Sequence, residues 1–88
     1  MTYNLKRDWD ETTGEPLTDS WGTSSYSFET TDLGEVLRQI QVFSNGQKLK
    51  YDTTKLEDQY GGLSDIPLDL EEFEKFRIAK DDFEKPWY

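Results

Sequence analysis

Two alternating segments joined by an Asn-Gly pair place the strongest constraint on the fold. Asn45–Gly46 is typical of two-residue hairpin loops, because both residues tolerate the positive φ of a type I′ turn. In that register Val42 faces Leu49, and Ile40 faces Tyr51. One face of the hairpin would then be apolar, with Val36, Ile40, Val42, Leu49 and Tyr51. The other face would form a basic strip with Gln39, Gln41, Phe43, Lys48 and Lys50. The sequence therefore predicts a β-hairpin across residues 36–52.

Two more strands are predicted upstream of this hairpin. In residues 3–9, one side of an extended chain carries Tyr3, Leu5, Arg7 and Trp9. Between residues 20 and 31, Tyr26 and Phe28 alternate with polar residues, which is typical of a strand with one buried face. Residues 10–20 contain Gly, Pro and many turn formers, and we expect them to form a loop.

The C-terminal third contains a helix start signal. Residues 53–63 are predicted to form a loop or a short helical turn. Asp69 and Glu72 have the spacing of a capping box, and Leu68 with Phe73 has that of a hydrophobic staple, so a helix should begin near Leu70. Two alternatives remain for the end of this segment. Either one helix continues as far as residue 85, or a short strand at 76–78 is followed by a second helical turn. Pro86 is expected to end the helix in either case.

These elements predict a single α+β domain over residues 1–88. Its small antiparallel sheet would have three to four strands, with the Asn-Gly hairpin at the centre, packed by one or two short C-terminal helices. Only 33% of the residues are apolar, but the chain holds three Trp, five Tyr and five Phe. Aromatic side chains bury a large area each, so they supply the core that the few aliphatic residues do not.

Missing residue types exclude several kinds of chemistry. The chain has no Cys and no His, which removes disulfides, thiolate zinc sites and the commonest acid-base group near pH 7. A calcium loop starting at Asp8 would need Gly where the chain has Thr13 and Glu where it has Asp19. We therefore expect no catalytic site and no cofactor. No window approaches the length of an apolar membrane span, so we also expect a cytoplasmic protein without membrane contact.

Charge is distributed unevenly along the chain. Residues 1–35 sum to −6, residues 36–56 to +3 and residues 57–88 to −6, for a net charge of −9. Arg38, Lys48 and Lys50 resemble a nucleic-acid patch, but the acidic flanks repel phosphate backbones. Lysines on an outer face also protect a hairpin from edge pairing. We therefore expect no direct nucleic-acid binding.

Arg7 and Arg38 each fall on the side of a strand that otherwise carries apolar residues. A half-buried guanidinium needs a carboxylate partner. We interpret both as ion pairs that tie the sheet to the acidic helix. The alternative is an anion pocket formed by the two arginines in a small ligand-binding or enzymatic domain.

Several motifs together resemble a family of small bacterial and phage domains of unknown function. They are Lys6–Arg7 with Trp9, the R-x-I-x-V-F-x-N-G run at 38–46, the Ile66–Pro67 bend, and F-x-I-x(4)-F-x(3)-W at 76–87. The chain departs from the family pattern at Ala79, where a Ser or Thr cap is expected, and at Gln41, where an acidic residue is expected. The resemblance implies a small α+β domain and brings no activity with it.

The leading hypothesis is a non-catalytic inhibitor of a larger basic protein that acts on nucleic acid. A negative field speeds association with a basic surface, and aromatic side chains anchor the contact. Such an inhibitor would be a toxin immunity protein or a phage anti-defence (anti-CRISPR) protein, acting as a monomer or weak homodimer in the bacterial cytosol. The predicted contact residues are Asp8, Asp10, Glu11, Glu15, Asp19, Trp21, Asp69, Glu71, Glu72 and Glu74.

Overall fold

A four-stranded antiparallel sheet organises the chain, with its strands in sequence order. The computed structural model describes residues 2–88. The strands of the sheet are β1 Thr2–Trp9, β2 Ser24–Thr31, β3 Val36–Phe43 and β4 Lys48–Asp52. A second, two-stranded sheet consists of β5 Glu57–Asp58 and β6 Gly61–Gly62. The helix α1 covers Lys80–Trp87, and 3-10 helices occupy Asp19–Trp21 and Glu74–Phe76. The predicted α+β class is confirmed, but the Asn-Gly hairpin, β3–β4, lies at one edge of the sheet instead of at its centre.

The predicted hairpin forms, but its loop is one residue longer than a type I′ turn. The Phe43 amide donates to the Gln47 carbonyl at 2.9 Å, which leaves residues 44–46 in the loop. Within residues 2–88 only glycines have positive φ, and Gly46 has φ of +93°. A type I′ turn needs positive φ at both central residues, so that prediction is wrong. The loop is a three-residue connection that ends in a glycine bulge.

The longer loop shifts the hairpin register by one residue and turns β4 over. Leu49 pairs with Gln41 instead of Val42, and Tyr51 shifts in the same way. Directly paired residues share a face of the sheet. One face, called here the groove face, carries Arg7, Tyr26, Phe28, Gln39, Gln41, Leu49 and Tyr51. The other, called the helix face, carries Ser27, Arg38, Ile40, Val42, Lys48 and Lys50. The predicted single apolar face is therefore wrong, because apolar residues occur on both.

The helix α1 packs across the helix face of the sheet. Phe83 of α1 and Ile40 of β3 are fully buried. The Arg38 guanidinium lies over the rings of Phe83 and Trp87, at 4.8 and 5.2 Å from their centroids. Pro86 does not end the helix but lies in its last turn. No helix within residues 2–88 is long and apolar enough to cross a membrane.

The region before α1 follows the interrupted alternative. The Asp69 carboxylate accepts two backbone amides, at 3.0 and 3.3 Å, as the capping prediction requires. No α-helix begins at Leu70, however, because a single turn leads into the 3-10 helix Glu74–Phe76. The next residues are held against the edge of β1, where the Ile78 amide donates to the Asn4 carbonyl at 2.9 Å. This edge contact separates the capped turn from α1.

The segment after β4 folds back over one end of the groove face. It forms the β5–β6 hairpin instead of the predicted loop or helical turn. The side-chain amide of Gln39 donates to the Gly62 carbonyl at 3.1 Å and accepts from the Ser64 amide at 2.9 Å. A buried cluster of Phe43, Leu49 and Tyr51 is covered here by Trp21, Tyr60 and Leu63. The rest of the groove face stays open.

Candidate binding groove

The open part of the groove face is a concave site of about 530 Å³. Its floor is the cross-strand row Arg7, Tyr26, Gln41 and Leu49. Its walls are supplied by loop 10–20, the β5–β6 hairpin and the turn before the second 3-10 helix, through Thr13, Glu15, Thr18, Tyr60, Gly61, Gly62 and Phe73. We call this site the aromatic groove, because its lining includes Trp9, Tyr26, Phe28, Tyr51, Tyr60 and Phe73.

The part of the groove floor formed by Tyr26, Phe28 and Gln41 carries no charged side chain. The rings of Tyr26 and Phe28 are nearly parallel, at an angle of 2° and a centroid distance of 5.9 Å. Gln41 is buried beside them, and its amide donates to the Ser24 hydroxyl at 2.9 Å. Burial raises the pKa of Tyr26, and its hydrogen bond with Gln41 opposes only part of that effect. The Tyr26 hydroxyl is therefore protonated at neutral pH.

Arg7 lies in the groove without the predicted carboxylate partner. None of the ion pairs within residues 2–88 includes Arg7. Its guanidinium carbon lies 6.0, 5.7 and 5.4 Å from the ring centroids of Trp9, Phe73 and Phe76. The predicted ion pair for Arg7 is wrong, because the turn that packs against β1 presents phenylalanine rings to the sheet and exposes its acids. Cation–π contacts take the place of the ion pair.

Arg38 forms the predicted ion pair between sheet and helix. It binds Glu29 of β2 through two hydrogen bonds of 2.9 and 2.7 Å, and lies 3.9 Å from Glu84 of α1. The hydrogen bonds to Glu29 raise the pKa of Arg38, although burial opposes them. Arg38 is on the helix face and Arg7 on the groove face, so the two guanidinium groups do not form one anion pocket.

Loop 10–20 is held by its own hydrogen bonds. Thr18 is buried, and its hydroxyl lies 2.7 Å from that of Thr13. The Asp19 carboxylate accepts the Gly14 amide at 3.0 Å. Hydrogen bonds from Thr12 and Gly14 lower the pKa of Asp19 below its usual value. The loop therefore presents its other acids from an ordered backbone.

Two of the predicted acidic segments meet at the aromatic groove. Glu15 of loop 10–20 lines the groove directly. Phe73 also lines it, and Glu72 and Glu74 flank this ring in the sequence. All nine predicted acids are exposed, which leaves them accessible to a partner: Asp8, Asp10, Glu11, Glu15, Asp19, Asp69, Glu71, Glu72 and Glu74.

Asp8, Asp10 and Trp21, three of the predicted contact residues, are not part of the groove lining. Asp8 and Asp10 line an adjoining depression of about 350 Å³, which shares Trp9 with the groove. Trp21 is half-buried, with its ring centroid 5.1 Å from those of both Phe43 and Tyr60. Its packing gives Trp21 a role in the core, so we do not retain it as a contact residue.

Sequence reasoning missed most of the groove lining. Tyr26 and Phe28 were assigned to a buried face, and Tyr60 was not singled out. Among the aromatic residues in the described range 2–88, only Phe43, Tyr51 and Phe83 are buried. The available signal was the number of aromatic residues, which exceeds what the core of so short a chain can enclose.

The fold and the aromatic groove are the basis for assigning function, because the comparisons with known proteins found no match. No family model matches the chain, and neither a curated protein nor a solved structure matches it. The resemblance to small bacterial and phage domains therefore stays a prediction. Within residues 2–88, no three acidic side chains lie close enough together to hold a metal ion.

Proposed function

We propose that this protein is a non-catalytic binding module that docks on a larger basic protein and inhibits it. The observation that carries the proposal is that loop 10–20 and the acidic turn at 69–74 both supply walls of the aromatic groove. An acidic rim attracts a basic surface at long range, and aromatic side chains anchor it at short range. The aromatic groove combines both properties at one place.

The basic partner in this proposal acts on nucleic acid. Proteins that bind nucleic acid concentrate Lys and Arg on the surface that contacts the phosphate backbone. A chain with a net charge of −9 competes for such a surface. In bacteria or their phages this describes an immunity protein against a nuclease toxin, or an anti-defence inhibitor of the anti-CRISPR kind, working in the cytoplasm.

Two other functions have less structural support. A small-ligand or enzymatic domain built on Arg7 and Arg38 lacks its site, because these residues lie on opposite faces of the sheet. Assembly through the hairpin would use β4, which is an edge strand. Lys48 and Lys50 lie on that strand, and edge lysines disfavour pairing with another strand. We therefore propose a monomer or a weak homodimer.

Charge reversal in loop 10–20 tests the proposed function. Asp10, Glu11 and Glu15 are exposed, so their joint replacement by Lys should leave the fold intact. The dissociation constant for the partner captured from the native host should rise by about tenfold or more, because like charges then face each other. Calorimetry measures the affinity, and circular dichroism checks the fold.

A matched variant separates position from total charge. Asp32, Glu35 and Asp65 are exposed acids outside the groove lining, and their joint replacement by Lys changes the net charge by the same amount. We expect the affinity of this control to stay within about threefold of the wild type. An equal loss in both variants, or no loss in the first, would contradict the assignment of binding to the groove rim.

A further inference from the structure

The aromatic groove has room for a side chain of a partner. Its volume of about 530 Å³ lies within the range of sites that enclose small ligands. The Arg7 guanidinium packs against the Phe73 wall. The rings of Tyr26, Phe28 and Tyr60 carry no cation in the part of the chain that the structure describes. These rings contact other aromatic side chains, Tyr26 with Phe28 and Tyr60 with Trp21, and they remain partly exposed in the groove.

Five cationic side chains lie on aromatic rings within residues 2–88, and three of them are arginines. Besides Arg7, Arg38 lies 4.8 Å from the Phe83 ring centroid and Arg77 lies 4.3 Å from that of Tyr3. A guanidinium is planar and weakly hydrated, so it stacks on rings more favourably than an ammonium group does. The parallel rings of Tyr26 and Phe28 line the groove that such a side chain would enter.

The charges around the groove determine the sign of its occupant. Of the residues that the structure describes, the lining contains one cation, Arg7, and one anion, Glu15. Beyond the lining, loop 10–20 adds Asp10, Glu11 and Asp19, and the second wall adds Asp69, Glu71, Glu72 and Glu74 against Lys75. This surplus of acids attracts a cation and repels a carboxylate or phosphate group.

We propose that the aromatic groove accepts an arginine side chain of the partner. Its guanidinium stacks on the Tyr26–Phe28 surface and forms an ion pair with the Glu15 carboxylate. This inference rests on the proposed function, since it names the residue type by which the basic partner is recognised. Arginine is favoured over lysine because a planar guanidinium can stack on the rings and at the same time donate two hydrogen bonds to the carboxylate.

A blocked heptapeptide with three arginines spaced by glycines serves as the probe. Matched peptides carry lysine, which keeps the charge, or citrulline, which keeps the plane but is neutral. Chemical shifts of the Tyr26 ring and the Glu15 amide report binding. We expect the arginine peptide to bind about three- to tenfold more tightly than the lysine peptide, and the citrulline peptide to bind most weakly.

Variants assign this preference to the groove. Tyr26→Leu keeps an apolar side chain but removes the ring, so the ratio of arginine to lysine affinity should fall to about one. Glu15→Gln should weaken both peptides. Tyr88→Leu removes an exposed ring outside the groove lining and should leave the ratio unchanged. The measured quantity is the ratio of arginine-peptide to lysine-peptide affinity for folded protein. A variant that is merely less stable would therefore not change this ratio.

The outcomes separate this inference from the proposed function. Equal affinity for arginine and lysine peptides, both weakened by reversal of Asp10, Glu11 and Glu15, would overturn the arginine site and leave the acidic docking face standing. Binding of benzoate in place of the cations, abolished by Arg7→Gln, would overturn both. An unchanged ratio in Tyr26→Leu would place the arginine outside the groove.

Discussion

Tyr51 and Asp58 show how one hydrogen bond stabilises the wall of the groove. Tyr51 is buried, and its hydroxyl donates to the Asp58 carboxylate at 2.7 Å. Burial raises the pKa of Tyr51, and the hydrogen bond to Asp58 raises it further. This contact links β4 to the β5–β6 hairpin, which carries Tyr60 and Gly61–Gly62 of the groove lining.

Replacing Tyr51 by Phe should lower the free energy of unfolding by about 1–2 kcal/mol at pH 7, because a hydrogen bond to a charged acceptor is lost. Urea titration measures this difference. Tyr60→Phe is the matched control, since the Tyr60 hydroxyl makes no hydrogen bond within residues 2–88. An effect of Tyr60→Phe as large as that of Tyr51→Phe would contradict the role given to this contact.

The pH dependence of that difference follows from Asp58. Burial of Asp58 raises its pKa, but hydrogen bonds from Tyr51, the Tyr60 amide and Lys55 outweigh burial and lower it. A lowered folded-state pKa stabilises the fold above the unfolded value of about 3.9, and this stabilisation is lost as the pH falls through the lower folded value. The difference between wild type and Tyr51→Phe should therefore shrink below about pH 4. A difference of equal size near pH 3 would contradict this account.

Individual buried polar residues could not be predicted from the sequence. Gln39 and Gln41 alternate with apolar residues and were placed on an outer face. Both are buried because Gln39 binds Gly62 and Ser64, and Gln41 binds Ser24. These partners lie 17 to 25 residues away in the chain. A pattern confined to the hairpin contains no information about them.

At the scale of elements, α1 depends on the sheet for its stability. It has eight residues, and Ala79 at its N-cap makes no side-chain hydrogen bond. A helix this short does not form alone in water. Phe83 and the contacts of Arg38 with Glu84 and Trp87 attach it to the helix face.

Arg38→Lys should therefore lower the free energy of unfolding by about 1–2 kcal/mol, since a lysine loses the paired hydrogen bonds to Glu29 and the stacking on Phe83 and Trp87. Hydrogen exchange should accelerate first in α1. Arg77→Lys is the control for the loss of stacking alone, because Arg77 lies on the Tyr3 ring but is exposed and forms no ion pair within residues 2–88; its effect should be smaller, about 0.5 kcal/mol. Equal acceleration of hydrogen exchange in α1 and in the sheet would show that Arg38 does not attach the helix to the sheet.

Local signals predicted where elements begin and turn, but not how they pair. The Asn45–Gly46 pair marked the hairpin correctly, yet a two-residue loop and a three-residue loop both accept glycine as their last residue. The choice of register assumed one buried face, whereas α1 and the β5–β6 hairpin cover both. Asp69 likewise marked a true cap, and the pairing of residues 77–78 with β1 interrupted the helix.

At the scale of the whole molecule, the fold separates its charges by face and edge. The hairpin lysines lie on the edge strand β4, while loop 10–20 and the turn at 69–74, which carry many acids, supply Glu15 and Phe73 to the walls of the aromatic groove. The acidic composition of both segments could be read from the sequence. The sequence did not predict that Glu15 and Phe73, which lie far apart in the chain, would line the same site.

The central claim is that a basic partner approaches the groove rim. The most direct measurement is the rate at which the partner associates with this protein, between about 0.1 and 1 M salt. Over this range the electrostatic screening length falls from about 10 to about 3 Å. For the wild type we predict a fall of about tenfold or more. Reversal of Asp10, Glu11 and Glu15 should make that dependence much shallower, whereas reversal of Asp32, Glu35 and Asp65 should not. A rate independent of salt, or the same dependence in both variants, would contradict the claim.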